Sequence, residues 1–171
     1  RLAGKGDVRE VGSGNIGATN VLRAGGRLLA ALTLILDALK ASAAVLIARA
    51  IWPGSESFAA AGALIGHLYP VWLKFKGGKG VATFLGLLIP LFPIGAGVFA
   101  IVWLAALAIA RISSVAGMLA AISAPASAAI FGEKSLFPML LGYALLVVWR
   151  HHENIARLKA GTEQRIGKKR G

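Results

Sequence analysis

Cysteine is absent from this 171-residue chain. Disulfides, thiol nucleophiles and thiolate metal sites are therefore excluded. Charge is scarce, at 15% of residues, and acidic charge is the scarcest, with 7 Asp and Glu against 19 Lys and Arg. With 57% hydrophobic residues and a mean hydropathy of +0.72, the chain is too apolar for a soluble domain of this size and reads as an integral membrane protein. The formal net charge of +12 must then lie in loops and ends, because ionised groups at the bilayer centre are costly. No nucleic-acid partner is expected, since cytoplasmic loops of membrane proteins carry such a basic excess and the aromatics sit mainly in apolar runs. The sequence opens on Arg1, without a methionine or a signal-like segment, so an N-terminally truncated chain is expected. No repeat or linker interrupts it, which predicts a single bundle domain over residues 1–171 with a disordered basic tail at 165–171.

Apolar runs cover Leu28–Ile51, Ser57–Leu73, Val81–Pro93, Ile94–Ala110, Ser113–Phe131 and Leu136–Trp149. They predict an all-α, polytopic transmembrane helix bundle of six apolar segments, given that a span needs about 20 residues. Val81–Pro93 is short by that measure, and reads as a half-span, a re-entrant segment or part of an element bent at Pro90 and Pro93. If all six cross, one side of the membrane holds 16 of the 19 Lys and Arg, and that side is cytoplasmic by the positive-inside rule. The same parity brings three polar segments to one face. Trp52, Trp72 and Trp149 fall at predicted span ends, as an interfacial aromatic belt requires, while Trp103 lies within a span.

The first polar segment is Gly12-Ser13-Gly14-Asn15-Ile16-Gly17-Ala18-Thr19-Asn20-Val21-Leu22-Arg23. Its glycines admit a ligand to the backbone, Ser13, Asn15, Thr19 and Asn20 offer hydrogen-bonding groups, and Arg23 can grip phosphate bidentately. It reads as an anion-holding loop ahead of a long apolar helix. In the second segment, Gly77-Gly78-Lys79-Gly80 opens the next helix, where unpaired backbone N–H groups and the helix dipole favour an anion. It is not a Walker A loop, because Gly80 stands where Ser or Thr is required. Alone it would read as a flexible turn with interfacial lysines; beside the first segment, phosphate binding is the better reading. In the third, Arg150-His151-His152-Glu153-Asn154 leads through Arg157 to Gly161-Thr162-Glu163. Helical spacing predicts His151, Asn154 and Arg157 on one face, suited to a polar substrate. No metal is expected there, since adjacent histidines diverge by about 100° on a helix and no HExxH spacing occurs. Asp37 and Lys40 lie three apart inside the first span, either a self-neutralising packing pair or functional intramembrane charges. His67, near the inner end of its span, reads as a packing residue one step removed from substrate.

Together the three segments resemble the sequence motifs of the bacterial membrane glycerol-3-phosphate acyltransferases that use acyl phosphate, the PlsY family. The resemblance runs in order along essentially the whole chain, through Ser13–Arg23, then Gly66-His67 to Thr83, then His151–Glu163. The family's bundle has seven spans, which implies a first helix before Arg1. Ala41 stands where the family is expected to carry glycine after the lysine, a difference bearing on local helix packing.

The resemblance implies acyl transfer from acyl phosphate to the 1-hydroxyl of sn-glycerol 3-phosphate, giving lysophosphatidic acid and phosphate. It implies no cofactor, a monomer in the bacterial inner membrane, and active-site loops on the cytoplasmic face. Catalytic roles would fall to Ser13, Arg23, Lys79, His151 and Asn154. Substrate contacts would come from Asn15, Thr19, Asn20, Gly77, Gly78, Gly80, Arg157 and Glu163, with Asp37, Lys40 and His67 behind them. No His is followed five residues later by Asp, so the His-x4-Asp arrangement of other glycerolipid acyltransferases is missing. The donor's own phosphate is then expected to take the hydroxyl proton, with His151 the one protein base to consider. Two other classes compete: a transporter or flippase for a phosphorylated solute, using Asp37 and Lys40, and a non-catalytic scaffold that binds anionic lipid through the basic tail.

Overall fold

The computed structural model describes residues 14–166. Eight α-helices occur among them, and no strand: α1 (Ala18–Gly25), α2 (Arg27–Ile51), α3 (Glu56–Leu68), α4 (Val81–Leu91), α5 (Pro93–Ala110), α6 (Ser113–Ile130), α7 (Phe137–Trp149) and α8 (His152–Lys159). The six apolar runs become α2 to α7. By length and composition α2, α5 and α6 can each cross a membrane. The remaining apolar helices are shorter. At about 1.5 Å per residue, the 13 residues of α3 and the 11 of α4 extend only about 20 and 17 Å.

Three boundaries depart from the sequence reading. The second apolar run stops being α-helical at Leu68, because Pro70 excludes the helical conformation from Tyr69 (φ −132°, ψ 57°); a single 3-10 turn follows at Val71–Leu73. The bend expected around Pro90 and Pro93 falls at Phe92 (φ −152°, ψ 78°), with Pro90 in the last turn of α4 and Pro93 opening α5, where its missing N–H costs nothing. The first polar run is not a loop throughout. From Ala18 it is helical, and only Gly26 (φ 91°) separates α1 from α2.

The chain divides into two compact units, residues up to Pro90 and residues from Leu91. In the first, α2 packs against α1 and α3. α4 approaches α2 so closely that a Cβ at Gly86 would overlap the backbone of Ala38, and Ser42 Oγ donates to the Gly86 carbonyl at 2.6 Å. Ala41, the position flagged as a family difference, is fully buried beside this contact. In the second unit α6 packs against α5 and α7 through a stripe of small buried residues that includes Ala116, Ala120, Ala124 and Ala128. Small residues let helix backbones approach where lipid removes the hydrophobic incentive to associate.

Large apolar side chains such as Leu36, Ile47, Phe58, Ile101, Ile109 and Leu145 point outward. In water so many would aggregate; against acyl chains they are at home. Trp52, Trp72 and Trp149 are likewise exposed at or beyond helix ends, as the belt reading expects. Of the tail, Ile166 donates its amide to the Arg111 carbonyl at 2.7 Å, and residues 167–171 lie outside the described residues.

Candidate active site

The first polar segment is shaped by its own amide. Asn15 Oδ1 accepts the Gly17 N–H at 2.8 Å, an Asx-type turn that steers the chain into α1. The Gly17 carbonyl then takes the amides of Asn20 and Val21 at 2.9 and 3.1 Å. Helical spacing sets Thr19 and Arg23 on the same face of α1, with Arg23 exposed in the last turn and Asn20 buried. Ser13 lies outside the described residues.

The glycine-lysine segment differs from its sequence reading. Gly77 N–H donates to the Leu68 carbonyl at 3.2 Å and Gly78 N–H to the His67 carbonyl at 3.1 Å. These N–H groups satisfy carbonyls left orphaned at the C-terminus of α3 and are committed there, whereas the sequence suggested they would face an anion. The glycines of this pair therefore shape the site through the backbone. Gly80 (φ 85°) then makes the left-handed turn into α4 that a side chain would resist, which sets Lys79 just ahead of the helix's positive end. Before the glycines, Lys74 and Phe75 adopt left-handed φ values of 52° and 62° without being glycine, in a turn closed by Phe75 N–H on the Pro70 carbonyl at 3.0 Å. Strain of this kind persists only where the surroundings over-determine the backbone.

Asp37, Lys40 and His67 form one cluster. Lys40 Nζ lies 2.5 Å from Asp37 Oδ1 and 2.7 Å from His67 Nδ1, and Asp37 Oδ1 is 3.5 Å from that nitrogen. The pair on α2 is not self-contained, since it reaches the end of α3.

In the second unit Glu163 is the hub. Ser114 Oγ and Asn154 Nδ2 donate to its Oε1 at 2.8 and 2.5 Å, and Arg157 Nε to its Oε2 at 2.7 Å. Its side chain is only 6% exposed. Burial pushes its carboxyl up, but the hydrogen bonds from Arg157, Asn154 and Ser114, with the Arg157 charge, outweigh that and hold its pKa below the ordinary value. Gly161 (φ 68°) ends α8 in a turn that carries Glu163 back onto that helix, closed by Thr162 N–H on the Arg157 carbonyl at 2.8 Å. Asn154 and Arg157 thus share a face, as their spacing predicts.

His151 does not share it as a helical residue. It is the residue before α8 (φ −98°, ψ 10°), buried, with Nδ1–H donating to the Val147 carbonyl at 2.7 Å. A carbonyl can only accept, so the ring proton sits on Nδ1 and Nε2 is the acceptor nitrogen. His152 is exposed, its ring tilted against Trp149 with centroids 5.8 Å apart. Sequence reasoning missed Ser114; its signal was a serine in the first turn of a helix, which reads as an ordinary start. Among the described residues no group of three or more His, Asp or Glu is arranged to hold a metal ion.

A family model described as glycerol-3-phosphate acyltransferase matches residues 1–161. The chain belongs to that family. Among curated glycerol-3-phosphate acyltransferases, that of Rhodopseudomonas palustris (strain HaA2) is 54% identical over 99% of this chain and 87% of its own length. That of Agrobacterium fabrum is 52% identical over 99% and 83%. The fold is similar to the crystal structure of PlsY (YgiH), an integral membrane glycerol 3-phosphate acyltransferase, in its glycerol 3-phosphate form, with a TM-score of 0.91 and 40% identity over 97% of this chain and 84% of that one. Its lysophosphatidic acid form matches with a TM-score of 0.85 and 39% identity, over 91% and 81%. As a glycerol-3-phosphate acyltransferase the chain is an enzyme of a membrane-embedded, all-helical fold. Of the motif residues recognised in the sequence, His67 joins the Asp37 and Lys40 cluster, and Asn154, Arg157 and Glu163 form the second cluster with Ser114.

Proposed function

We propose that this acyltransferase takes its acyl group from an acyl phosphate and transfers it to the 1-hydroxyl of sn-glycerol 3-phosphate. The hydroxyl oxygen forms an ester bond with the acyl carbon, the bond from that carbon to the phosphate oxygen breaks, and the hydroxyl proton leaves on the phosphate. The products are lysophosphatidic acid and inorganic phosphate. Arg23 and Lys79 meet phosphate charge; Ser13, Thr19 and Asn20 orient the donor and its developing oxyanion; His151 and Asn154 hold the acceptor hydroxyl.

The observation that carries this reading is the fixed tautomer of His151. Its Nδ1–H goes to a neutral carbonyl, which makes Nε2 the acceptor nitrogen of the ring, with no carboxylate on Nδ1 to strengthen it as a base. Such an imidazole orients a hydroxyl better than it deprotonates one, and a phosphate leaving group can take the proton itself. The solved relatives support the acceptor and product, being described as a glycerol 3-phosphate form and a lysophosphatidic acid form. We read the enzyme as a monomer, a reading that needs no residue from a second copy. The 16 basic residues on one side support loops on the cytoplasmic face of the inner membrane.

The test is phosphate release by the detergent-purified protein supplied with palmitoyl phosphate, with and without glycerol 3-phosphate, the lipid product being identified by mass. Lysophosphatidic acid formed with stoichiometric phosphate, and not when acyl-CoA replaces the donor, is the expected result. Product formed from acyl-CoA alone would overturn the donor assignment.

A further inference from the structure

Three groups in the apolar spans are left without a role by the reaction above: Asp37, Lys40 and His67. Lys40 is the centre of the cluster. An ammonium only donates, so His67 Nδ1, 2.7 Å away, accepts and the ring proton belongs on Nε2. The other side of the ring meets Gly78. A Cβ on that glycine would overlap Nε2 and Cε1 of the imidazole, so the backbone of the segment packs directly against the Nε2 side of the ring. The same histidine's carbonyl holds the Gly78 amide at 3.1 Å, and the next carbonyl, of Leu68, holds that of Gly77 at 3.2 Å. His67 therefore grips the segment twice, by ring contact and by hydrogen bond, one residue before Lys79. Its ring is buried and cannot swing away while Lys40, itself paired with Asp37, donates to Nδ1.

We propose that Asp37, Lys40 and His67 are positioning residues that hold the Gly77-Gly78 backbone, and through it the Lys79 ammonium, in register for the substrate phosphate. Lys40 touches no substrate; it fixes the ring, the ring fixes the glycine backbone, and the backbone aims Lys79. The packing alternative, a charge pair that merely neutralises itself on α2, does not explain why the ammonium divides its contacts between Asp37 and a histidine 27 residues away. Nor does it explain why a glycine packs against the imidazole of that histidine. The inference rests on Lys79 as a phosphate-binding group.

The experiment measures glycerol 3-phosphate binding by calorimetry, alongside steady-state kinetics, for Lys40→Met, Lys40→Arg, Lys79→Ala and Lys40→Met/Lys79→Ala. A displacement of about 1 Å in a positioned group can cost about 100-fold. Lys40→Met is expected to weaken binding and raise KM about 10-fold while kcat changes less than about 3-fold, the pattern of lost binding that is common to ground and transition states. Lys40→Arg, which keeps a cationic donor, restores most of the affinity. In the Lys79→Ala background the Lys40→Met effect disappears, because its route is already cut. Should Lys40→Met fail to fold with Asp37 unpaired, Asp37→Asn/Lys40→Met removes both charges and is read in its place. Wild-type affinity in either variant overturns the proposal, as does a Lys40→Met factor that persists in full without Lys79. Calorimetry needs no turnover, so an enzyme that binds glycerol 3-phosphate but ignores acyl phosphate sinks the donor assignment and leaves this inference to be decided by the binding data.

Discussion

Asn154 Nδ2 lies 2.5 Å from Glu163 Oε1, across the turn that ends α8. The carboxylate of Glu163 collects three donors from three separate residues, Ser114, Asn154 and Arg157. It thereby ties the start of α6, the face of α8 and the last turn into one polar knot, with Asn154 oriented by an anion rather than by solvent.

Glu163→Gln puts an amide NH2 where an acceptor is needed. One of its two oxygens becomes a donor and meets either Arg157 or the Ser114 and Asn154 pair. Charge-assisted bonds of this kind contribute about 1.5–3 kcal/mol, so thermal stability in detergent should fall by a corresponding amount. kcat should fall at least about 10-fold, as a misplaced Asn154 predicts.

The same carboxylate makes stability pH-dependent. Its folded pKa is held below the ordinary 4.5, so between the two values the unfolded chain binds the extra proton and stability rises with pH. The contribution is complete above about 4.5 and is lost as pH falls through the lowered value. Melting temperatures recorded from pH 7 downward should show the gap between wild type and Glu163→Gln narrowing only in acid. A gap that stays constant to pH 3 would mean that the knot does not depend on ionisation.

His151→Ala should lower kcat by about 10- to 100-fold at saturating substrate and leave measurable turnover, because the acceptor hydroxyl loses its orienting nitrogen but not its proton acceptor. A general base typically contributes about 100- to 10,000-fold. Loss well above about 100-fold, within that range or beyond it, with glycerol 3-phosphate binding intact would make His151 the obligatory base. His152→Ala, at an exposed position, should stay close to wild type.

Gly86→Leu should separate α4 from α2, since even a Cβ overlaps the Ala38 backbone. Overpacking of this type costs about 1–3 kcal/mol. Ser42→Ala, which removes only the bond to the Gly86 carbonyl, should cost about 1 kcal/mol. Parallel melts of the two variants give the order, and equal losses would mean that the close approach contributes nothing beyond the hydrogen bond.

Much of the fold is legible in one dimension. Apolar runs that end at charges, glycines and prolines mark α2, α5, α6 and α7 to within about a residue, because helix formation in lipid needs only a local stretch of suitable length. The site is legible as residue types: Arg23, Lys79, His151 and Asn154 stand out as polar groups in an apolar chain. Local spacing misleads where a turn intervenes. His151 looks helical from its distance to Asn154, yet the helix starts one residue later; Gly77 and Gly78 look like anion donors, yet their amides cap α3.

By itself, then, the sequence determined that the chain is a membrane-embedded helical protein with three polar motif segments, and those motifs determined the family. Only the tertiary structure decided that Lys40 reaches His67, that His67 backs Gly78, that Ser114 joins Glu163 and that Gly86 must be bare against Ala38. Each of these is a contact between elements distant along the chain. Periodicity says which face of a helix is apolar, but which face meets which is set by the shape and polarity of side chains that become neighbours only once the helices have packed.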